Sequence, residues 1–346
     1  MPEKEGACRH RATVSASKSM IDRKSIAAAA LRIAAHVRHT PLLSADLGGA
    51  SPVTLKLELL QCAGSFKPRG AFNRLLSAGI LFGAPLLSAS PPADRRLSAA
   101  QLPSAGVLAA SGGNHGAAVA YAAHRLGIRA EIFVPVSTPA AKVARIAGYG
   151  AKVVQVGRTY ADALAASRIR GAETAALEVH AYDDPDVLAG QGTVGREFEQ
   201  DAPELTHILV ATGGGGLIGG IAAWYAGSVQ VVSVEPESCP ALHEALRVGH
   251  PVEAPVGGLA ADSLGAKQVG TLMFPIAQRF VNQTVLVTDE AILAAQRVLW
   301  DRFRLVAEPG GATAVAALLS GRFVPPSAAR VGVVLCGSNT DPTKVI

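Results

Sequence analysis

Cysteine is scarce in this 346-residue chain, and its spacing suggests no pairing. Cys8, Cys62, Cys239 and Cys336 include no CxxC pair. A chain of this length buries enough surface to do without disulfide staples, so a reduced, cytoplasmic protein is expected. Aromatic residues make up only 5%. No stretch interleaves them with basic residues, which excludes a nucleic-acid face. The N-terminus lacks an apolar core followed by a small-residue cleavage site, so no secretory signal is read there. Charge is missing altogether from Leu205 to Val234, a length that could span a bilayer. Four consecutive glycines in its middle fit strand, turn, helix and strand instead, and no membrane partner is expected. The formal net charge of +5 is concentrated at one end: residues 1–40 carry eight Lys/Arg against Glu3, Glu5 and Asp22, a difference equal to that of the whole chain. The body is near neutral, and residues 1–22 read as a flexible basic arm.

What is present is a βα rhythm rich in alanine and glycine. A helix is expected over Ile26–Val37, capped by Asp22 or Ser25 and ended before Pro41. Val53–Glu58 alternates as a strand. Residues 82–105 are rich in Ser, Ala and Pro, show no core face and read as a surface insertion. Apolar strands near 106–110, 130–136, 151–156, 207–211, 229–234, 283–287 and 331–335 then alternate with helices. Such a pattern implies parallel sheets covered on both faces. Ligands bind beyond the carboxyl ends of such strands, where the glycine-rich turns fall.

Three stretches carry chemistry. Gly64-Ser65-Phe66-Lys67-Pro68-Arg69-Gly70 sets a lysine in a turn behind an aromatic, with no acid in the turn to neutralise it. A lone lysine is most often on the surface, but one with a lowered pKa adds to a carbonyl cofactor. Arg69 is a candidate for the cation that lowers it, or else faces solvent or a carboxylate. Ser111-Gly112-Gly113-Asn114-His115-Gly116 runs from strand to helix, and its N–H groups suit an anion. His115 by itself reads equally as a packing histidine. Gly213-Gly214-Gly215-Gly216-Leu217 occupies the same kind of position, as a phosphate cup or a tight packing turn. Its spacing is not the GxGxxG of a dinucleotide site.

These stretches, in order with Thr40-Pro41-Leu42, Lys56-x-Glu58-x-x-Gln61 and Cys336-Gly337-Ser338-Asn339, resemble the serine/threonine dehydratase family of fold-type II pyridoxal phosphate (PLP) enzymes. The resemblance spans roughly residues 25 to 342. It implies an α/β fold of the tryptophan synthase β-like type, with two lobes that each hold a mainly parallel sheet flanked by helices. The large lobe would comprise 23–74 and 178–346, and a small mobile lobe 75–177. By the same resemblance, Lys67 carries PLP as a Schiff base and moves the Cα proton. Phe66 packs on the cofactor ring, Asn114 bonds its phenolic oxygen, Gly213–Leu217 hold its phosphate and Cys336 faces the pyridine nitrogen. Ser111, Gly112, Gly113, Asn114 and His115 hold the substrate carboxylate. Glu308 matches a position near the cofactor, or serves the first turn of its helix. Asp262-Ser263-Leu264-Gly265 lines the substrate pocket as a loop.

The implied reaction is β-elimination of L-serine or L-threonine to a 2-oxo acid and ammonia, by a homodimer acting on a small amino acid. Alternatives are the same chemistry on a bulkier 3-hydroxy amino acid such as phenylserine or 3-hydroxyaspartate, a PLP-dependent β-replacement synthase, and a non-enzymatic phosphate-binding protein. Three departures from the family stand out. Ala63 replaces the usual threonine before Gly-Ser-Phe-Lys. Gly112 stands where racemases carry serine, so elimination without efficient racemisation is expected. Ala241 stands where cation-binding relatives carry a second acid after Glu235, so no metal is expected, and Glu235-Pro236-Glu237 reads as a solvated turn. Because the chain ends shortly after Cys336, feedback through a C-terminal regulatory domain is not expected.

Overall fold

The computed structural model describes residues 21–49, 52–81 and 105–345. Nearly all of the expected arm at 1–22 and insertion at 82–105 therefore lies outside the described residues. The chain runs α1 (Arg23–Ile33), β1 (Leu42–Ala45), β2 (Val53–Lys56), α2 (Pro68–Leu81), β3 (Val107–Ala110), α3 (Asn114–Leu126), β4 (Ala130–Val134), α4 (Ala140–Gly148), β5 (Lys152–Gln155), α5 (Tyr160–Thr174) and β6 (Leu177–Glu178). It continues α6 (Pro185–Asp201), β7 (His207–Ala211), α7 (Gly216–Tyr225), β8 (Gln230–Pro236), α8 (Ala241–Val248), α9 (Ala261–Leu264), α10 (Phe274–Phe280), β9 (Val281–Val287), α11 (Asp289–Phe303), α12 (Pro309–Leu319) and β10 (Val331–Val334).

The strands form two sheets, ordered β1-β2-β10-β7-β8-β9 and β5-β4-β3-β6. Every pairing is parallel except β1 with β2. Fully buried strands such as β3 and β10 read as unbroken apolar runs because helices cover both faces. The placement of β10 between β2 and β7 matters most for the site. It brings the Cys336 segment beside the turn that follows β2, although the two are far apart in sequence.

Helix α1 is shorter than its apolar pattern suggests and ends at Ile33. Both candidate caps act together: Asp22 accepts from the Ser25 amide, and Ser25 Oγ accepts from the Asp22 amide. The 17-residue helix α6 gives no periodic signal in the sequence, because it is buried on nearly every side. Gly190, Gly192 and Gly195 let its neighbours approach. A methyl group at Gly190 would lie 2.5 Å from the Arg69 carbonyl oxygen, and one at Gly192 would lie 2.7 Å from Ile26 and 2.9 Å from the Gly220 carbonyl oxygen. Glycine inside a helix costs about 1 kcal/mol against alanine, and here close packing of α6 on α1, α2 and α7 is what that cost secures. No helix among the described residues is long and apolar enough to cross a membrane.

The sign of one substitution tests this packing. In an exposed helix Gly→Ala stabilises, but Gly190→Ala should lower the urea midpoint, because overpacking against main chain costs about 1–3 kcal/mol. An unchanged or raised midpoint would show that α6 can move aside.

Candidate active site

The loop that carries Lys67 is closed at its base by a buried ion pair. Glu58 precedes it and Arg69 follows it, eleven residues apart. Arg69 Nε and Nη2 donate to the two Glu58 oxygens at 2.8 and 2.7 Å. The remaining Arg69 hydrogens go to Glu197 on α6, at 2.7 and 2.8 Å, and to Thr193 Oγ1 at 3.2 Å. Glu58 also accepts from the Thr40 hydroxyl. Lys56, fully buried, reaches Glu197 and Asp201, each at 3.1 Å. Arg69 thus faces two carboxylates with every donor used, and those carboxylates hold its pKa above even the usual guanidinium range despite burial.

The tip of the loop is held by the segment after β10. Phe66 N–H donates to the Cys336 carbonyl at 3.1 Å, Ser338 N–H to the Gly64 carbonyl at 2.9 Å, and Asn339 Nδ2 to the Ala63 carbonyl at 2.8 Å. These bonds hold Ala63 in the left-handed region, at φ 56° and ψ 18°. For a residue with a Cβ that conformation costs about 1–2 kcal/mol, and a β-branched residue would be worse placed there than alanine. The structure thereby gives the Ala63 departure a physical setting.

Lys67 is partly open to the cleft, yet protein packs closely round its amine. Nζ donates to the Ala181 carbonyl at 3.0 Å and lies 5.1 Å from the centroid of the Phe66 ring. Burial lowers its pKa to about 8, with Cys336 and Glu308 opposing the shift. The residue after Ala181 is Tyr182, which packs against Gly214 and Gly216.

Two glycine turns flank this amine. In Ser111–Gly116, Gly113 N–H donates to Ser111 Oγ at 3.2 Å. The amides of Gly112, Asn114 and His115 have no acceptor among the described residues. Those of Gly213–Leu217 likewise have none, and they open α7. Unpaired N–H groups at a helix start form an anion site. The tetraglycine is also a packing turn: a Cβ on Gly213 would meet Leu264 at 2.7 Å, and one on Gly215 would strike Met273. Both readings of that run therefore apply. The one-turn helix α9, read from sequence as a loop, joins the two cups, because Leu264 lies against Gly213 and the Asp262 carbonyl lies 3.3 Å from where a Gly113 Cβ would be.

Between the cups, Asn114 Nδ2 donates to Glu308 Oε1, and Asn114 Oδ1 accepts from Asn339 at 2.7 Å. Glu308 is buried at the start of α12, and burial raises its pKa to about 7. The Cys336 thiol lies 3.4 Å from the Gly310 carbonyl, and burial raises its pKa so that it stays protonated. The His115 imidazole is turned aside: Nε2–H donates to the Val179 carbonyl at 2.8 Å, and burial with the Lys67 charge lowers its pKa to about 3. What His115 offers the cup is its main-chain N–H.

Sequence reasoning missed Ala181, Tyr182, Thr138 and the Glu197 end of the ion network. Asp184 as N-cap and Pro185 at the first helical position are the signal that could have located α6 and the segment before it. Glu235 corrects an expectation. It is not solvated but fully buried, accepting from the Leu242 and His243 amides of α8 at 2.7 and 2.9 Å. Burial raises its pKa to about 8 against those bonds. Among the described residues no cluster of three His, Cys, Asp or Glu groups could hold a metal ion.

A lysine between two amide cups, in a two-sheet parallel α/β frame with a neutral buried thiol beside it, defines a fold-type II PLP enzyme. Residues 33–337 match the pyridoxal-phosphate dependent enzyme family, and the chain belongs to it. An L-threonine ammonia-lyase of Geobacter sulfurreducens is 39% identical over 318 residues, covering 90% of this chain and 73% of the relative. Phenylserine dehydratase of Ralstonia pickettii is 37% identical over 328 residues, covering 92% and 94%. The solved T.th. threonine deaminase superposes with a TM-score of 0.79 at 34% identity, covering 92% and 99%. PLP is the cofactor. The free amides of Gly213–Leu217, in a turn without side chains, fit its phosphate, and Lys67 fits its carbonyl carbon.

Two measurements check this site. Glu58→Gln leaves Arg69 short of one charge, and breaking such a buried pair costs about 3–5 kcal/mol. The urea midpoint should fall accordingly, and a loss within ~1 kcal/mol would show that the clamp is dispensable. Borohydride-fixable attachment of added PLP to the apoprotein should speed up with rising pH and level off above about 8, where the Lys67 amine is free. A midpoint near that of an ordinary lysine would contradict the burial described here.

Proposed function

We propose that the protein is a PLP-dependent dehydratase, an ammonia-lyase of the carbon–oxygen lyase class, acting on L-threonine and L-serine. The observation that carries this reading is the pair of amide cups on either side of Lys67, with the neutral Cys336 thiol between strand β10 and α12. The kinship with a threonine ammonia-lyase over most of both chains supports it. In this reading the cytoplasmic protein is a homodimer, and the lobe of residues 75–177 closes over substrate.

Gly213, Gly214, Gly215, Gly216 and Leu217 bind the cofactor phosphate through their amides. Phe66 would pack beside the ring, and Asn114 would hold the ring's phenolic oxygen with the Nδ2 hydrogen that Glu308 leaves free. Ser111, Gly112, Gly113, Asn114 and the His115 amide orient the substrate carboxylate. Bound there, PLP supplies the electron sink that makes the Cα–H bond acidic. Lys67 Nζ takes the Cα proton, which it does as free amine, and its lowered pKa makes that form abundant near pH 8. Cys336 keeps its proton and presents a thiol rather than a carboxylate to the ring nitrogen. Its hydrogen is directed to the Gly310 carbonyl, and a neutral thiol there would not fix a full positive charge on the ring nitrogen, which would favour prompt loss of the β-substituent. The hydroxide leaves from Cβ, and hydrolysis of the released enamine gives a 2-oxo acid and ammonia.

Gly112 stands where the resemblance places the serine of racemases. Gly112 lacks a side chain, and a Cβ there would already lie 2.9 Å from Thr138. L-Serine should therefore give pyruvate with no D-serine detectable by chiral chromatography; accumulation of D-serine would show a proton donor on that face. Lys67→Ala should lose both the visible band of bound PLP and ammonia release from threonine and serine. Full activity in that variant would refute the assignment, and a product that retains its amino group would indicate a β-replacement synthase.

A further inference from the structure

One wall of the first cup comes from outside the glycine turn that forms it. Thr138, in the turn between β4 and α4, stands against Gly112. A Cβ on Gly112 would lie 2.9 Å from the Thr138 methyl carbon and 3.2 Å from its hydroxyl oxygen. Carbon atoms pack at about 3.5–4.0 Å, so Thr138 already fills the space that a side chain at 112 would need. Gly112 is not in the left-handed region. Its backbone would accept any residue, and the neighbouring threonine is what calls for glycine.

The Thr138 hydroxyl has no hydrogen-bond partner among the described residues. The side chain is half-buried. It lies beside Gly112, whose amide is free like those of Asn114 and His115. Three contacts keep it there. The Thr138 N–H donates to the Pro135 carbonyl at 3.0 Å, closing the turn after β4. Pro139 comes next and narrows the backbone freedom of Thr138. One turn into α4, Lys142 Nζ reaches Asp262 Oδ2 of α9 at 2.7 Å, and the Asp262 carbonyl lies 3.3 Å from where a Gly113 Cβ would be. Gly112, Thr138, Lys142, Asp262 and Gly113 thus form a ring of contacts round the cup. The exposed ion pair is worth little alone, but the ring places the hydroxyl before any ligand arrives. A donor already in position loses little freedom on binding.

The cup's other donors all belong to one stretch of chain, Ser111–His115. A carboxylate has about four lone-pair directions to satisfy, and Thr138 offers a hydroxyl from the α4 side. Hydroxyl donors to an ionised oxygen make short, strong bonds. We propose that Thr138 is a further substrate-binding residue, whose hydroxyl donates to the α-carboxylate in the first cup. This rests on the dehydratase reading and adds to that cup a side-chain donor that Gly112 cannot supply.

The test uses the full chain loaded with PLP and compares wild type, Thr138→Val and Thr138→Ser. Valine keeps the branched shape and removes the hydroxyl, while serine keeps the hydroxyl and removes the methyl. A hydrogen bond to a charged group is worth about 10- to 150-fold in binding. Thr138→Val should therefore raise KM for L-serine and L-threonine by about 10-fold or more, with kcat within about 3-fold, as expected for a contact held throughout the reaction. Thr138→Ser should stay within about 3-fold of wild type. Binding is also read without turnover. L-Alanine carries the carboxylate but no β-hydroxyl, and its dissociation constant, from the shift of the cofactor's visible band, should rise in Thr138→Val by the same factor as KM. Unchanged KM and alanine affinity in Thr138→Val would overturn the proposal. Equal losses in both variants would reduce Thr138 to a packing residue and overturn it too. So would a loss for serine and threonine with alanine binding intact, which would place the hydroxyl at the substrate's β-oxygen. No ammonia from either substrate with wild type would instead refute the dehydratase reading, and the alanine titration would still decide the role of Thr138.

Discussion

The bidentate pairing of Glu58 with Arg69 is the constraint on which the site depends. A lysine long enough to reach a cofactor has four rotatable carbons, and its placement is only as good as the backbone that carries it. The pair shuts the base of the loop, and the carbonyl contacts of Cys336, Gly64 and Ala63 fix its tip. Buried ion networks rarely add net stability, because desolvation offsets their attraction. One that uses all five hydrogens of a guanidinium can instead enforce a single geometry. The strain at Ala63 fits that account, since a left-handed alanine persists only where its surroundings over-determine it.

From that loop the electrostatics of the cleft follow. Packing round Lys67 destabilises its charged form, the same burial keeps the Cys336 thiol protonated, and Glu308 titrates near neutrality beside both. One cause, loss of water, pushes an amine toward its base form and two acids toward their protonated forms. A proton acceptor therefore stands next to weak donors whose protons burial holds in place. The two cups add fixed dipoles that need no counterion of their own, and α9 touches both.

Much of this was legible in the sequence, for reasons that differ by residue. The two glycine turns announce themselves because anion cups need bare backbone at a strand-to-helix junction, and that need is written locally. Lys67 became legible only through the order of its partners. Arg69 did not reveal its buried state, since Glu58 and Glu197 reach it from other elements and no local pattern records the pairing. Helix α6 stayed hidden for a related reason. A helix buried all round loses the alternation of apolar and polar faces, and its glycines, which read as breakers, are contact points with three neighbours. Glu235 misled because Glu-Pro-Glu resembles a turn, whereas the α8 amides that receive its carboxylate lie seven and eight residues on.

The insertion of β10 between β2 and β7 sets a timetable for the newborn chain. Ala63 and Asn339 touch across 276 residues, and ribosomes add about 5–20 residues per second. The lysine loop therefore leaves the ribosome roughly 15–55 s before the strand that completes its mould. During that interval Lys67 is an ordinary solvated amine with no pocket round it. The pocket for the cofactor aldehyde exists only once β10 has been made and inserted between β2 and β7.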